Sequence, residues 1–189
     1  MVQDRVKIAH NADNQFSQPA MKPEVANDGR IADLETLEQL FGKPVRTARQ
    51  ESDRLHAPLR AFIEAAPFLI LATGGADGMD ASAKGDLGGF VRVFDEKTLL
   101  IPERGGNGRN DSVRNIVADP RVALTFFIPG NNELLRVNGH AFVSVAPAVR
   151  EQFATPPRCV IVVRVDEVFA QCSRAIERSK LWRAPPTSL

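Results

Sequence analysis

From Pro67 to Cys172 the chain is a succession of short runs, FLILAT, MDASAK, FVRVF, TLLIP, VALTFFIP, ELLRVNGHAFVSV and CVIVVRVDEVFAQC, broken by the clusters GGADG, DEK and GNN. Runs this short, rich in β-branched and aromatic residues, read as strands, and the clusters between them carry the Gly, Asn and Asp that tight reversals require. Strands joined by tight reversals pair antiparallel. Six or seven of them imply a sheet that closes on itself.

Helical signals flank and interrupt this series. Asp33 is placed to cap a short helix with Leu34, Leu37, Leu40 and Phe41 on one side, stopped by Gly42 and Pro44. A second helix is expected from Ser52 to Ala66 with Leu55, Leu59, Phe62 and Ile63 on its apolar face, and Pro58 near its start delays or kinks the first turn. A third is expected near Asp111, with Asp111 as its N-cap, ending before Pro120. A brief turn of helix is expected near Pro147 to Phe153, and a last one from Ser173 through SRAIERSKLW. Residues 1–28 are polar, contain Pro19 and Pro23 and show no sustained period, so a flexible N-terminal arm is expected there, with residues 29–189 forming one domain.

Lys plus Arg number 24 against 23 Asp plus Glu, so no excess field favours nucleic acid or an anionic membrane, and any basic site must be local. No apolar run approaches the roughly 20 residues of a membrane span. Cys159 and Cys172 form no CxxC pair and stand at either end of one strand-like run, which favours a reduced, cytoplasmic setting. His10, His56 and His140 share no ligand spacing, so no metal site is expected.

Three blocks combine donors suited to a phosphate monoester, and together they suggest a phosphorylated cofactor. In SAKGD, Ser82 and Lys84 stand two apart in an extended run, so their side chains leave one face and can grip one anion; the alternative is a solvated strand end before a turn. In RGGNGRNDSVRN, a glycine-rich loop delivers Arg109, Asn110 and Ser112 to the start of a helix, where unpaired N–H groups favour anions. Asp111 opposes an anion directly on that helix axis, so the phosphate is expected beside the turn, held by side chains. In LLRVNG, alternation puts Arg136 and Asn138 on one face; Arg136 then needs a phosphate, a cofactor carbonyl or Glu133 as partner, unless it is an edge residue in water. Trp182 either stacks on a ligand ring or pins the last helix to the core. No Ser-His-Asp order, Cys-His pair or carboxylate dyad identifies a catalytic residue.

The order of these blocks resembles the FMN-binding split-barrel proteins related to pyridoxamine phosphate oxidase over approximately Leu55 to Trp182, and within them a bacterial subgroup marked by a Ser-x-Lys-Gly-Asp segment. The resemblance implies an α+β fold, an antiparallel split β-barrel with peripheral helices. It implies FMN as cofactor, with Ser82 and Lys84 in the first contacting segment and Arg109, Asn110 and Ser112 in the loop that reaches the phosphate. Arg136 and Asn138 match the later strand that runs past the flavin, and Trp182 belongs to the terminal segment. It further implies a homodimer with FMN in a cleft between subunits, and a flavin-dependent oxidoreductase acting on a small-molecule substrate. The alternatives are a non-catalytic FMN store or sensor, a deazaflavin-binding barrel, or a heme-binding barrel with His140 as axial ligand. Ser112 stands where many relatives place a lysine, and KLWRAPPTSL lacks the arginine-rich terminal pattern of the true oxidases, so vitamin B6 oxidation is not expected.

Overall fold

The computed structural model describes residues 29–43, 51–76, 78–105 and 108–183; the arm expected over residues 1–28 lies outside them. The chain divides into two units, Met1–Val45 and Arg46–Leu189. In the first, helix α1 (Leu34–Phe41) starts where the Asp33 carboxylate accepts the Thr36 N–H at 2.8 Å and stops at Gly42, whose φ of +75° suits glycine.

The second unit holds β1 (Glu51–Ser52), α2 (Ala57–Ala65), β2 (Phe68–Gly75), β3 (Gly78–Gly85), β4 (Arg92–Asp95), β5 (Thr98–Glu103), α3 (Asp111–Ala118), β6 (Arg121–Phe127), β7 (Leu134–Ser144), α4 (Pro147–Arg150), β8 (Cys159–Gln171) and α5 (Arg174–Ser179). The strands form one 8-stranded antiparallel sheet in the order β3-β2-β6-β7-β8-β5-β4, with β1 added to β8. The count exceeds the sequence expectation because Glu51 and Ser52 pair with Phe169 and Val168 instead of opening a helix. Helix α2 begins only at Ala57, where Pro58 serves the first turn, whose N–H groups need no intrahelical acceptor.

Alternation sets the core. Leu69, Leu71 and Thr73 of β2, Val122, Leu124 and Phe126 of β6, and Leu135, Val137 and Ala141 of β7 are buried on one face. They join Leu99, Ile101, Ile161, Val163 and Val165 in a single cluster, which α2 closes with Ile63 and α3 with Ile116. The outer face of β5 and β8 has its own small cluster, Leu100, Val160 and Val162, covered by Phe153 beyond α4. This second cover explains why β5 is buried on both sides. A register shift between Asn138 and Gly139 kinks β7 against β8.

Among the described residues β3 and β4, the two ends of the strand order, do not pair with each other. The barrel is therefore split rather than hydrogen-bonded all the way round. No helix of the described residues is long and apolar enough to cross a membrane.

Candidate functional site

Because β3 pairs only with β2, the side chains on its core-facing side have no further strand to lie against. Asp80, Ser82 and Lys84 occupy that side, opposite Thr73, Leu71 and Leu69. They form one wall of an open cavity of about 760 Å³. Phe90, the end of β5 from Pro102 to Gly105 and the first turn of α3 from Arg109 to Val113 form the others. A cavity of this size holds a ligand as large as a mononucleotide cofactor.

Four carboxylates and three cations line it. Each cation is engaged with a carboxylate: Lys84 with Glu103 at 2.5 Å, Arg104 with Asp86 at 3.1 Å, and Arg109 with Asp111 at 2.6 Å. The Lys84–Glu103 pair is the most enclosed, each side chain only 18% exposed. Burial pushes the Glu103 carboxyl up, but the Lys84 ammonium and the Gly105 N–H, which donates to the other carboxylate oxygen at 2.9 Å, outweigh it and hold the group below its ordinary value. Opposite Glu103, the Cys159 thiol is pushed up by burial and by the Glu103 charge, the opposite of what an activated nucleophile needs.

Helix α3 opens onto this cavity with its first turn. Its N-cap is Asn110, not Asp111 as the sequence suggests: Asn110 takes the left-handed conformation, φ +57° and ψ +27°, which asparagine tolerates better than most residues. No side chain caps the first turn. Asp111 falls one residue inside, where it engages Arg109. Ser112 points inward, is 3% exposed, and its hydroxyl has no hydrogen-bond partner. A buried hydroxyl left unpaired costs about 1–3 kcal/mol, and Ser112 lines the cavity, so a polar atom of a ligand is the natural completion.

Of the residues singled out by the sequence, Ser82, Lys84, Arg109, Asn110 and Ser112 therefore share one cavity. Arg136 and Asn138 do not line it. The register puts Arg136 across from Thr125 and Phe169, on the outer face of the sheet, with its guanidinium 5.3 Å from the Phe169 ring centroid. Asn138 donates to Glu167 at 2.8 Å on that same face. Trp182 follows α5 and donates its indole N–H to the Asn131 carbonyl at 2.7 Å. His140 pairs through Nδ1 with Asp166 at 2.6 Å, beside Arg164 and Arg121 on the outer face. The sequence does not single out Asp80, Asp86, Glu103 or Arg104, yet all four line the cavity. For Asp80 a signal exists, since it stands two residues before Ser82 in the same alternation; Glu103 becomes legible only once β5 lies across from β3.

Among the described residues no group of three or more His, Cys, Asp or Glu side chains is placed to hold a metal. No curated relative matches the chain. Two crystal structures of HupZ from Group A Streptococcus match it with TM-scores of 0.51 and 0.50 at 19% and 20% identity, covering 62% and 61% of this chain and 99% and 92% of theirs. A candidate pyridoxamine 5'-phosphate oxidase from Lactobacillus delbrueckii matches with a TM-score of 0.50 at 23% identity, covering 64% of this chain and 98% of that one. These neighbours share the split-barrel fold. The sequence model of the family described as pyridoxamine 5'-phosphate oxidase matches residues 55–172, from buried Leu55 to the end of β8, and the chain belongs to that family.

Proposed function

We propose that the protein binds FMN in the β3–α3 cavity and acts as a flavin-dependent oxidoreductase on a small organic molecule. The observation that carries this is the Ser112 hydroxyl, buried and unpartnered at the uncapped start of α3, in a cavity that also holds Lys84 and Arg109. This donor set suits a phosphate monoester: a hydroxyl, the free amides of a helix's first turn and two cations. Family membership supports the same cofactor.

When bound, FMN supplies the hydride-accepting chemistry. The protein's part is to hold, orient and charge the site. Ser112 and Arg109 anchor the phosphate beside the first turn, with Asn110 shaping that turn. Lys84 keeps two N–H donors beyond the one given to Glu103 and would offer bound FMN fixed positive charge while remaining paired. Positive charge there favours the reduced, anionic form of a flavin. The described lining residues include no histidine or cysteine, consistent with a protein that leaves bond-making to its cofactor.

The working unit of this proposal is a cytoplasmic homodimer. Phe94 and Phe142, 54% and 50% exposed, stand on the outer surface of the sheet, and Arg136 and Asn138 face outward from it. In a homodimer these residues, with Trp182, complete the partner's cavity rather than their own.

The test is the visible absorption spectrum of the purified protein before and after equimolar FMN and desalting, repeated with riboflavin and with Ser112→Ala. Retained flavin bands, tighter for FMN than for riboflavin and weakened by Ser112→Ala, are expected. A protein that refuses FMN overturns the proposal. Turnover with NADH or NADPH and an acceptor then separates an enzyme from a flavin store.

A further inference from the structure

The Ser112 hydroxyl meets the cavity only while α3 keeps one rotation about its own axis. That hydroxyl is buried and unpartnered, so no hydrogen bond of its own holds it there. Helix α3 has 8 residues, and Ile116 is its one buried apolar side chain, with Val113 partly buried beside it. Apolar contacts are non-directional, and a roll of about 10° carries an atom about 5 Å from a helix axis through about 1 Å, enough to misalign a hydrogen bond.

Direction is supplied one turn further along. Asn115 Nδ2 donates to the Thr73 hydroxyl at 3.0 Å. Thr73 follows Leu69 and Leu71 in the core row of β2 and is fully buried, a polar side chain where the alternation calls for an apolar one. The Asn115 amide also lies over Gly75, where a Cβ would stand 2.2 Å from Asn115 Oδ1, so the glycine lets the helix side chain reach the strand. Ser112 and Asn115, three residues apart, are neighbours on the helix surface. Neither Thr73 nor Asn115 lines the cavity.

We infer that Asn115 and Thr73 are positioning residues for the cofactor phosphate: their hydrogen bond fixes the rotation of α3, and with it the aim of the Ser112 hydroxyl and of the first-turn N–H groups. The inference rests on the FMN reading of the cavity and adds to it two residues that never touch the ligand. Since the first turn of α3 is assigned to the phosphate, loss of the bond weakens FMN and spares riboflavin. A merely structural bond predicts lower stability with the two flavins affected alike.

Fluorescence titration with FMN and with riboflavin on the wild type, Thr73→Val, Thr73→Ser and Gly75→Ala, with thermal unfolding of the same samples, decides between them. Valine keeps the shape of threonine and removes the acceptor, whereas serine keeps the acceptor. The preference for FMN over riboflavin is expected to fall about fivefold in Thr73→Val, to stay near the wild-type value in Thr73→Ser, and to fall again in Gly75→Ala, whose Cβ displaces the Asn115 amide while Thr73 is untouched. An unchanged preference in Thr73→Val and Gly75→Ala, whatever their melting temperatures, overturns the inference, and so does a preference lost as fully in Thr73→Ser as in Thr73→Val. Inorganic phosphate, followed on the backbone N–H resonances of Ser112 and Val113, keeps this inference apart from the cofactor. A wild type that takes no FMN but shifts these resonances with phosphate, an effect lost in Thr73→Val, refutes the cofactor and leaves the positioning pair standing. Equal shifts in Thr73→Val overturn the pair, and a wild type that takes neither ligand removes both readings.

Discussion

Lys84 and Glu103 meet across the split of the barrel, from the edge strand β3 to the end of β5, the last strand but one at the opposite side of the sheet order, and Glu103 is also fixed by the Gly105 N–H. The Glu103 carboxyl titrates below its ordinary 4.5 in the folded chain, so the unfolded chain takes up the proton first as pH falls. Its stabilising contribution is complete above 4.5 and disappears as pH drops through the lower folded value. Glu103→Gln is expected to flatten that part of the stability–pH curve. At neutral pH it is expected to cost about 1–3 kcal/mol by leaving a half-buried ammonium without its counter-charge, measured by denaturant unfolding from pH 3 to 8.

Ser112→Ala separates stability from binding. The hydroxyl has no partner in the ligand-free chain, so removing it is expected to leave the cofactor-free protein as stable or slightly more so. FMN affinity is expected to fall about tenfold, since one hydrogen bond to a charged group is lost. Thermal unfolding of the cofactor-free protein and a fluorescence titration read the two effects. A destabilised protein with unchanged affinity contradicts the assignment.

Gly139 and Gly75 are both required for space, but unequally. A Cβ at Gly139 lies 2.0 Å from the Arg164 carbonyl oxygen across the β7–β8 kink, and backbone on both sides must yield. At Gly75 the obstacle is the Asn115 side chain at 2.2 Å, which swings away at the expense of its hydrogen bond to Thr73. Gly139→Ala is expected to cost about 3 kcal/mol or more and Gly75→Ala about 1 kcal/mol. Equal midpoints in urea for the two variants contradict this ranking.

Arg136→Ala tests the proposed dimer through complementation. If Arg136 completes the partner's cavity, neither Arg136→Ala nor Ser112→Ala binds FMN well alone. Mixed dimers of the two contain one site with both defects and one with neither, so random subunit exchange is expected to restore about a quarter of the sites. Mixtures that bind no better than the average of the two pure variants show that Arg136 acts within its own subunit or not at all.

Much of this was legible in the residues themselves. Period-two alternation in FLILAT, VALTFF and LLRVNG determines which side chains enter the core, because successive Cβ atoms leave opposite faces of a strand. The donor types of SAKGD and RGGNGRNDS likewise identify the two segments that now share a cavity. Short-range chemistry was legible to within a residue or so: Asp33 caps α1 as its spacing indicates, while the cap of α3 moved from Asp111 to Asn110 because asparagine accepts the left-handed turn.

What the sequence could not decide is which of two faces meets which neighbour. Arg136 and Lys84 look equivalent in one dimension, each a cation in an alternating run. Strand order and register send Lys84 into the split and Arg136 to the outer face, because Lys84 shares its row with Leu69 and Phe126, whereas Arg136 shares its own with Thr125 and Ile70. Pairings such as Lys84 with Glu103 and Asn115 with Thr73 join residues 19 and 42 positions apart. The carboxylate-paired cations and the orphaned Ser112 hydroxyl exist as such only after the fold has brought their neighbours to them. Residue chemistry was present in the chain from the start; which charges are already satisfied is a property of distance, and only the tertiary structure sets distance.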